Sequence, residues 1–497
     1  MNTLLNGMQN ASNYGVTENG AIKHLSTRSA LMDLFAMGAA MRDRSEDDCI
    51  LMFKNAYEEN PVYAMKCLFY IRDVRGGQGE RRFFRVIMKW LAEHKSEVAR
   101  RNLEYVAEFG RWDDLYCFVG TPLEKETFSL IKRQLKLDAT CKTPSLLAKW
   151  LKSENASSKE TARLGDLTRQ YLNMTHKEYR KMLSYLRDKI NIVERLMSEN
   201  RWDEIEFDKI PSKAGFIYRN AFARRDIIKE KYERFVKEEN TTVNAGALYP
   251  YEVVEQAIKL MGSNYYYHSE TPGRNSVDRL AINKYWDNLT DYFNGSKLNA
   301  LCMVDTSGSM CGTPINVAVS LGLYCAEKAG GPFANHYISF SSRPQLIECK
   351  GVDFCDKVDR IVRTNLCQNT NIEAAFNMLL NTAIANHVPQ SDMPETILVI
   401  SDMEFDAAQG WYARSDRSVN TLMENIIQTW ELAGYKAPHL IYWNVNARTN
   451  NIPMIGNGPI SYVSGFSPSI FQAIATGKSG WELMMEVLDK PRYSKIA

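Results

Sequence analysis

Apolar side chains recur at helical spacing from Ser29 to about Val236, as in Leu183, Leu186, Ile190 and Val193. That period places one apolar stripe on each segment and predicts about ten short amphipathic helices joined by tight links. Start signals punctuate them. Thr121-Pro122-Leu123-Glu124, Ser157-Ser158-Lys159-Glu160 and Thr175-His176-Lys177-Glu178 each set a hydroxyl three residues before a carboxylate, the spacing of a capping box. The helices share no fixed-period consensus, which leaves an irregular HEAT-like stack of helix pairs, ring-shaped or curved. Ahead of them, residues 1–25 are Asn-rich and aperiodic and read as a flexible arm. From about residue 297 the rhythm changes. Apolar runs of β type stand at Leu298–Val304, His336–Phe340, Thr396–Ile400 and His439–Asn444. Helical stretches separate them near Pro314–Ala329, Ile372–Asn386 and Ser418–Ala433. Strands alternating with helices predict a doubly wound α/β domain, a parallel sheet covered on both faces. The expected division is an arm over 1–25, a helical domain over 26–296 and an α/β domain over 297–497.

Charge divides the chain in the same way. The whole carries 61 Lys/Arg and 59 Asp/Glu, net +2. Residues 1–300 hold 47 against 41, and residues 301–497 hold 14 against 18. Within the helical part, 51–237 holds 38 against 27, a net of +11. A basic block joined to a mildly acidic one suggests modules with different partners. No run of 18 apolar residues occurs, so no membrane span is expected. The first residues lack the basic start and apolar centre of a secretory signal. The ten cysteines form no CxxC pair and no metal spacing with the seven histidines, as expected of reduced thiols in a cytoplasmic protein.

The chemistry gathers where strands should end. Leu298–Val304 runs directly into Asp305-Thr306-Ser307-Gly308-Ser309. One carboxylate and two hydroxyls at alternate positions can turn toward a common point beyond the strand, where an α/β sheet binds its ligands. Asn369-Thr370-Asn371 precedes a helix and offers the Thr370 hydroxyl. Thr396–Ile400 ends in Ser401-Asp402 and offers a second carboxylate. Hard oxygen donors without His or Cys suit Mg²⁺ or Mn²⁺ rather than zinc.

This set resembles the metal-ion-dependent adhesion site (MIDAS) of von Willebrand factor A domains, whose pattern falls on Asp305, Ser307, Ser309, Thr370 and Asp402. The resemblance covers roughly 297–497 and departs at Gln368-Asn369, where members of that family often carry glycines. It implies a bound Mg²⁺ (or Mn²⁺) that keeps open positions for an Asp or Glu of a protein partner. An enzyme is not expected. A phosphate-transferring aspartate would want a carboxylate where Ser307 stands, and His336 and His439 lie in apolar strands. A metal-dependent hydrolase is the weakest alternative.

In the helical part, Arg72-Asp73-Val74-Arg75-Gly76-Gly77-Gln78-Gly79-Glu80-Arg81-Arg82 stands out. It matches neither common glycine-rich nucleotide loop. Arg81, Arg85 and Lys89 recur at every fourth position, where like charges cost a helix roughly 0.2–0.5 kcal/mol per pair. With Arg72, Arg75 and Arg82 they form a candidate phosphate surface; a solvated face is the competing reading. The order of modules is similar to that of the Ro ring proteins, whose TROVE module precedes a von Willebrand A domain. The phrases RDVRGGQGERRFF, FGRWDDLY and SLLAKWL more particularly resemble an uncharacterised TROVE-like family of phages, bacteria and plants. The resemblance implies binding of small structured RNA or single-stranded RNA ends, hence a ribonucleoprotein. Trp112, Trp150 and Trp202 are expected in the core rather than against bases. The competing class is a protein-interaction scaffold that uses the metal site without RNA.

Overall fold

The computed structural model describes Met8 and residues 12–190, 192–263, 276–340, 343–364, 369–407, 421–455 and 459–497. A mostly helical region precedes a domain built on one mixed, mainly parallel sheet. A short antiparallel hairpin, β1 (Tyr14–Val16) and β2 (Ile22–His24), comes first. The six strands of the large sheet are β3 (Ala300–Asp305), β4 (His336–Phe340), β5 (Gln345–Glu348), β6 (Thr396–Ser401), β7 (His439–Asn444) and β8 (Ile460–Ser464). They lie in the order β5-β4-β3-β6-β7-β8, and β5 alone among them runs antiparallel to its neighbour. Every residue of β3 and β6 is buried, which is why both read as unbroken apolar runs. Helix Thr313–Lys328 packs on the centre of this sheet.

Four strands and three helices fall where the apolar pattern puts them, to within a few residues. The pattern misses β5 and β8. Gln345–Glu348 is an exposed edge with one buried residue, and Ile460-Ser461-Tyr462-Val463-Ser464 is interrupted by serines although fully buried. Of the three capping boxes, Thr175–Glu178 is present in full. Ser158 rather than Ser157 caps its helix. Thr121 turns back to the Phe118 carbonyl while Glu124 accepts from the Gly120 amide.

Two expectations about organisation are revised. Residues 14–24, placed in a flexible arm, form the hairpin and are held by backbone bonds to the sheet's loops. His24 and Ile452 exchange both N–H···O bonds, 2.9 and 3.0 Å, and the Ala407 amide donates to the Asn19 carbonyl. Asn13 and Asn19, two of the residues that suggest disorder, donate to the Ser26 and Glu404 carbonyls; residues 1–7 and 9–11 of the expected arm lie outside the described residues.

The boundary at 296/297 also does not separate two cores. One apolar cluster runs from Ala21 to Ile496, and a second, smaller one gathers Val193–Val236 with Val277 and Ala281. Helix Ala30–Met37 lies against β8, where Ser464 Oγ donates to the Phe35 carbonyl at 2.9 Å. Helices Pro250–Met261 and Ser276–Asp287 pack on Thr313–Lys328 and Phe354–Thr364. There the Trp286 and Phe354 rings stack 4.2 Å apart and Arg279 forks onto Asp353 at 2.7 Å. The helical series thus begins and ends on the α/β domain. Within it, Tyr249 Oη, just before helix Pro250–Met261, donates to the Gln78 carbonyl at 3.2 Å.

Candidate metal centre

Register decides what meets at the sheet's carboxyl edge. Val304 pairs with Ile400 in the parallel β3–β6 ladder, so Asp305 stands level with Ser401, and Asp402 follows at once. Asp305 is fully buried and Asp402 is 1% exposed. The Ser307 amide donates to Asp305 Oδ1 at 2.9 Å, and Ser401 Oγ donates to its Oδ2 at 2.5 Å. The Ser307 and Ser309 hydroxyls lie 3.1 Å apart, and the Ser309 hydroxyl in turn bonds Asp402. Asp305, Ser307, Ser309 and Asp402 therefore form one connected group. Thr370 is buried. Its carbonyl accepts from the Asp406 amide at 3.0 Å, which ties the Thr370 loop to the loop after β6. Gln368 lies outside the described residues.

Electrostatics make the pair demanding. Burial, and then the neighbouring Asp402 carboxylate, push the Asp305 carboxyl up to about 7. Burial also raises Asp402, against the opposing pull of the Glu404 amide, Ser309 and Arg448. Two like charges removed from water are costly unless a cation joins them. The two carboxylates and two serine hydroxyls are hard oxygen donors, which fit a small hard divalent ion.

Sequence reasoning missed the groups that frame this site. Arg448, in the loop after β7, reaches Asp402 Oδ2 at 3.1 Å and Glu18 Oε2 at 2.8 Å. Glu404 is buried and accepts from the Glu18 amide at 2.8 Å and from Thr449 Oγ1 at 2.7 Å. Several hundred residues separate Glu18 from its partners, so no local pattern signals the contact. A second acidic group, Glu154, Asp166 and His176, offers donor atoms within 4.8 Å of one another. Arg169 already bonds both of its carboxylates, at 2.8 and 2.6 Å.

Several charges of the glycine-rich basic segment serve bonds inside the protein. Asp73 takes Arg492 and the Tyr493 hydroxyl from the C-terminal tail. Gln78 spans Tyr70 Oη, 2.7 Å, and the Ser467 amide, 3.0 Å. A Cβ on Gly77 would collide with the Tyr70 carbonyl oxygen, and Gly79 (φ +67°) leaves room for the Tyr249 hydroxyl. Arg72 is 2% exposed and forks onto Asp114 at 2.7 and 2.9 Å, while Arg85 reaches the other oxygen of Asp114 at 2.6 Å. Arg82 donates to the Arg42 carbonyl at 3.2 Å and Arg75 to the Glu108 carbonyl at 2.7 Å. Of the six candidate phosphate-binding residues, Arg75, Arg81 and Lys89 stay exposed. The structure does not gather the six on one surface. It joins Arg72 and Arg85 to Asp113-Asp114, so the two phrases form one junction.

Known proteins share this arrangement of segments. A family model described as "Domain of unknown function (DUF2828)" matches residues 17–145 and 137–294, more than half of the chain. The chain belongs to that family. A second model, "Domain of unknown function (DUF7788)", matches residues 299–487, which include all five candidate metal residues. An uncharacterised protein of Acanthamoeba polyphaga mimivirus is 27% identical to this DUF2828 member, over 96% of this chain and 88% of that one. Among solved structures, the Ro (RSR) protein of Deinococcus radiodurans is similar at a TM-score of 0.43 and 13% identity, covering 91% of this chain and 100% of that one. That likeness is too distant to bear on function. Among the described residues no helix is long and apolar enough to cross a membrane, and Cys49, Cys67, Cys117, Cys141, Cys302, Cys325, Cys349 and Cys355 are free thiols.

Proposed function

We propose that this DUF2828 protein is a metal-dependent recognition protein with a von Willebrand A-type site. Asp305, Ser307, Ser309, Thr370 and Asp402 would hold Mg²⁺ or Mn²⁺, and a carboxylate of a protein partner would complete the ion's shell. The supporting observation is the buried Asp305–Asp402 pair, bridged by serine hydroxyls at the carboxyl ends of neighbouring strands. Such a pair gains most from a cation, and no histidine, cysteine or lysine stands among its donors, which favours recognition over catalysis. The protein should be retained by an immobilised Asp- and Glu-bearing peptide library in Mg²⁺ and released by EDTA. Retention that EDTA leaves untouched would remove the metal from the interaction.

A second reading, RNA binding by a Ro-like scaffold of HEAT-type helices, draws on where the positive charge lies. Residues 124–237 hold 26 Lys/Arg against 17 Asp/Glu, net +9, leaving only +2 of the earlier +11 for 51–123. Lys132, Lys136, Lys142, Lys177 and Lys181 on these helices and their links are exposed. Their replacement by Gln should weaken RNA binding at low salt. It should flatten the slope of log affinity against log salt by about 0.7–0.9 for each phosphate no longer neutralised. An unchanged slope would leave the helices as a solvated scaffold.

A further inference from the structure

We propose that Arg448 is a built-in cation that competes with a divalent ion for Asp402. On yielding, it keeps its bond to Glu18, so metal occupancy and docking of the N-terminal hairpin are coupled. This rests on the metal-site reading above and adds a residue that sets the site's affinity. The Arg448 guanidinium bridges two carboxylates of different standing. Asp402 is buried, whereas the Glu18 side chain is about half exposed and sits at the turn of the hairpin. The backbone under Arg448 is fixed on several sides. The Val445 amide donates to the Ser401 carbonyl at 3.1 Å, the Ala447 amide to the Ala40 carbonyl at 3.0 Å, and Ile452 pairs with His24. Asn451 Nδ2 donates to the Met403 carbonyl at 2.5 Å. The loop therefore cannot carry the guanidinium away, and any release from Asp402 is a rotation of the side chain about an anchored backbone.

That rotation has somewhere to go. The Arg448 Nε is buried without a hydrogen-bond partner, so the bridging pose leaves a donor unused, and Glu18 lies on the outward side. Glu404, the other nearby carboxylate, is held by the Glu18 amide and Thr449. Lys23 is directed to Thr449. Glu404 is therefore already occupied as an acceptor, and Lys23 does not take the place of Arg448 at Asp402. A divalent ion drawn to Asp305 and Asp402 would repel the guanidinium and move its interaction onto Glu18. The hairpin, which also bonds the metal loop through Thr17 Oγ1 to the Phe405 carbonyl at 2.7 Å, would then be held more firmly.

The test is calorimetry of the full chain with MnCl₂ and with MgCl₂ at one pH and ionic strength. The variants are Arg448→Gln, Glu18→Gln and both together. Arg448 and Glu18 are partly exposed, so these variants should fold; their thermal transitions are measured alongside. Removing a unit charge a few ångströms from the ion should tighten binding about tenfold or more in Arg448→Gln. Glu18→Gln should weaken binding, because the displaced guanidinium loses its second partner. It should have little effect in the Arg448→Gln background, a coupling that a double-mutant cycle reads directly. Hydrogen exchange of the 14–24 amides should slow on adding Mn²⁺ in wild type but not in Arg448→Gln. Equal metal affinity in wild type and Arg448→Gln would overturn the competition and leave the metal site standing. Absence of binding in every variant would overturn both. Binding by Arg448→Gln alone would support the competition in its strongest form.

Discussion

Asp305→Asn should abolish measurable Mg²⁺ or Mn²⁺ binding and leave the fold intact or stabilised. The carboxyl of Asp305 is raised to about 7 by burial and by Asp402. Its folded-state value therefore lies above that of the unfolded chain, and the sign of the linkage follows. Below about pH 4 the group is neutral in both states and costs nothing. As pH rises from about 4 to 7 the unfolded chain ionises freely while the folded chain resists, so stability falls through that window and levels off above it. The penalty at pH 7.5 without metal is of the order of a few kcal/mol. Asn keeps the shape and cannot ionise, so the variant should unfold at a higher temperature than EDTA-treated wild type at pH 7.5 and at about the same temperature near pH 4. Saturating Mg²⁺ should raise the wild-type midpoint and leave the variant's unmoved. Because the ion must displace a proton, wild-type metal affinity should fall by up to about tenfold for each pH unit below 7. A variant that binds Mg²⁺ as tightly as wild type, or that destabilises the protein equally at both pH values, would dismiss Asp305 as a ligand.

The contrast between the two halves shows what kinds of information a sequence displays. Asp305, Ser307, Ser309 and Asp402 are legible because each follows or ends a fully buried parallel strand, which reads as an unbroken apolar run. The relation between Asp305 and Asp402 then follows from strand adjacency. Thr370 is legible as a hydroxyl before a helix, but not the bonds to Asp406 that tie its loop to the loop after β6. Arg448 and Glu18 are invisible because their meeting is set by how a hairpin at one end of the chain lies on loops near the other. The basic stripe is only partly legible for a related reason. Periodicity locates Arg81, Arg85 and Lys89 on a helix, but whether a guanidinium faces solvent depends on the neighbouring element. Asp113-Asp114 supplies two carboxylates to Arg85 only in the folded chain. The change of composition near residue 297 falls between the two family matches, but it does not show that the apolar core continues across it.

Asp114→Ala should be the most damaging single substitution in the helical half. Its carboxylate is fully buried and serves four donors: Arg72 Nε and Nη2, the Arg111 amide at 2.8 Å, and Arg85 Nε. With that carboxylate gone, Arg72 keeps only a long 3.5 Å bond to the Gly79 carbonyl, inside a core that excludes water. Breaking a buried pair by removing one partner costs about 3–5 kcal/mol, a large part of the roughly 5–15 kcal/mol that holds a domain together. Arg85→Gln should cost much less, because Arg85 is about one-third exposed and Asp113 retains Arg111 and Lys152. Urea unfolding followed by circular dichroism should order the midpoints as wild type, then Arg85→Gln, then Asp114→Ala. Asp73, Gln78 and Tyr249 tie the same junction to the C-terminal tail and to the last helices, so loss of Asp114 should shift the midpoint of the α/β domain as well. Equal midpoints for wild type and Asp114→Ala would mean that Arg72 and Arg85 are not engaged internally. Both would then return to the surface as candidates for phosphate, which is the choice their sequence positions alone left open.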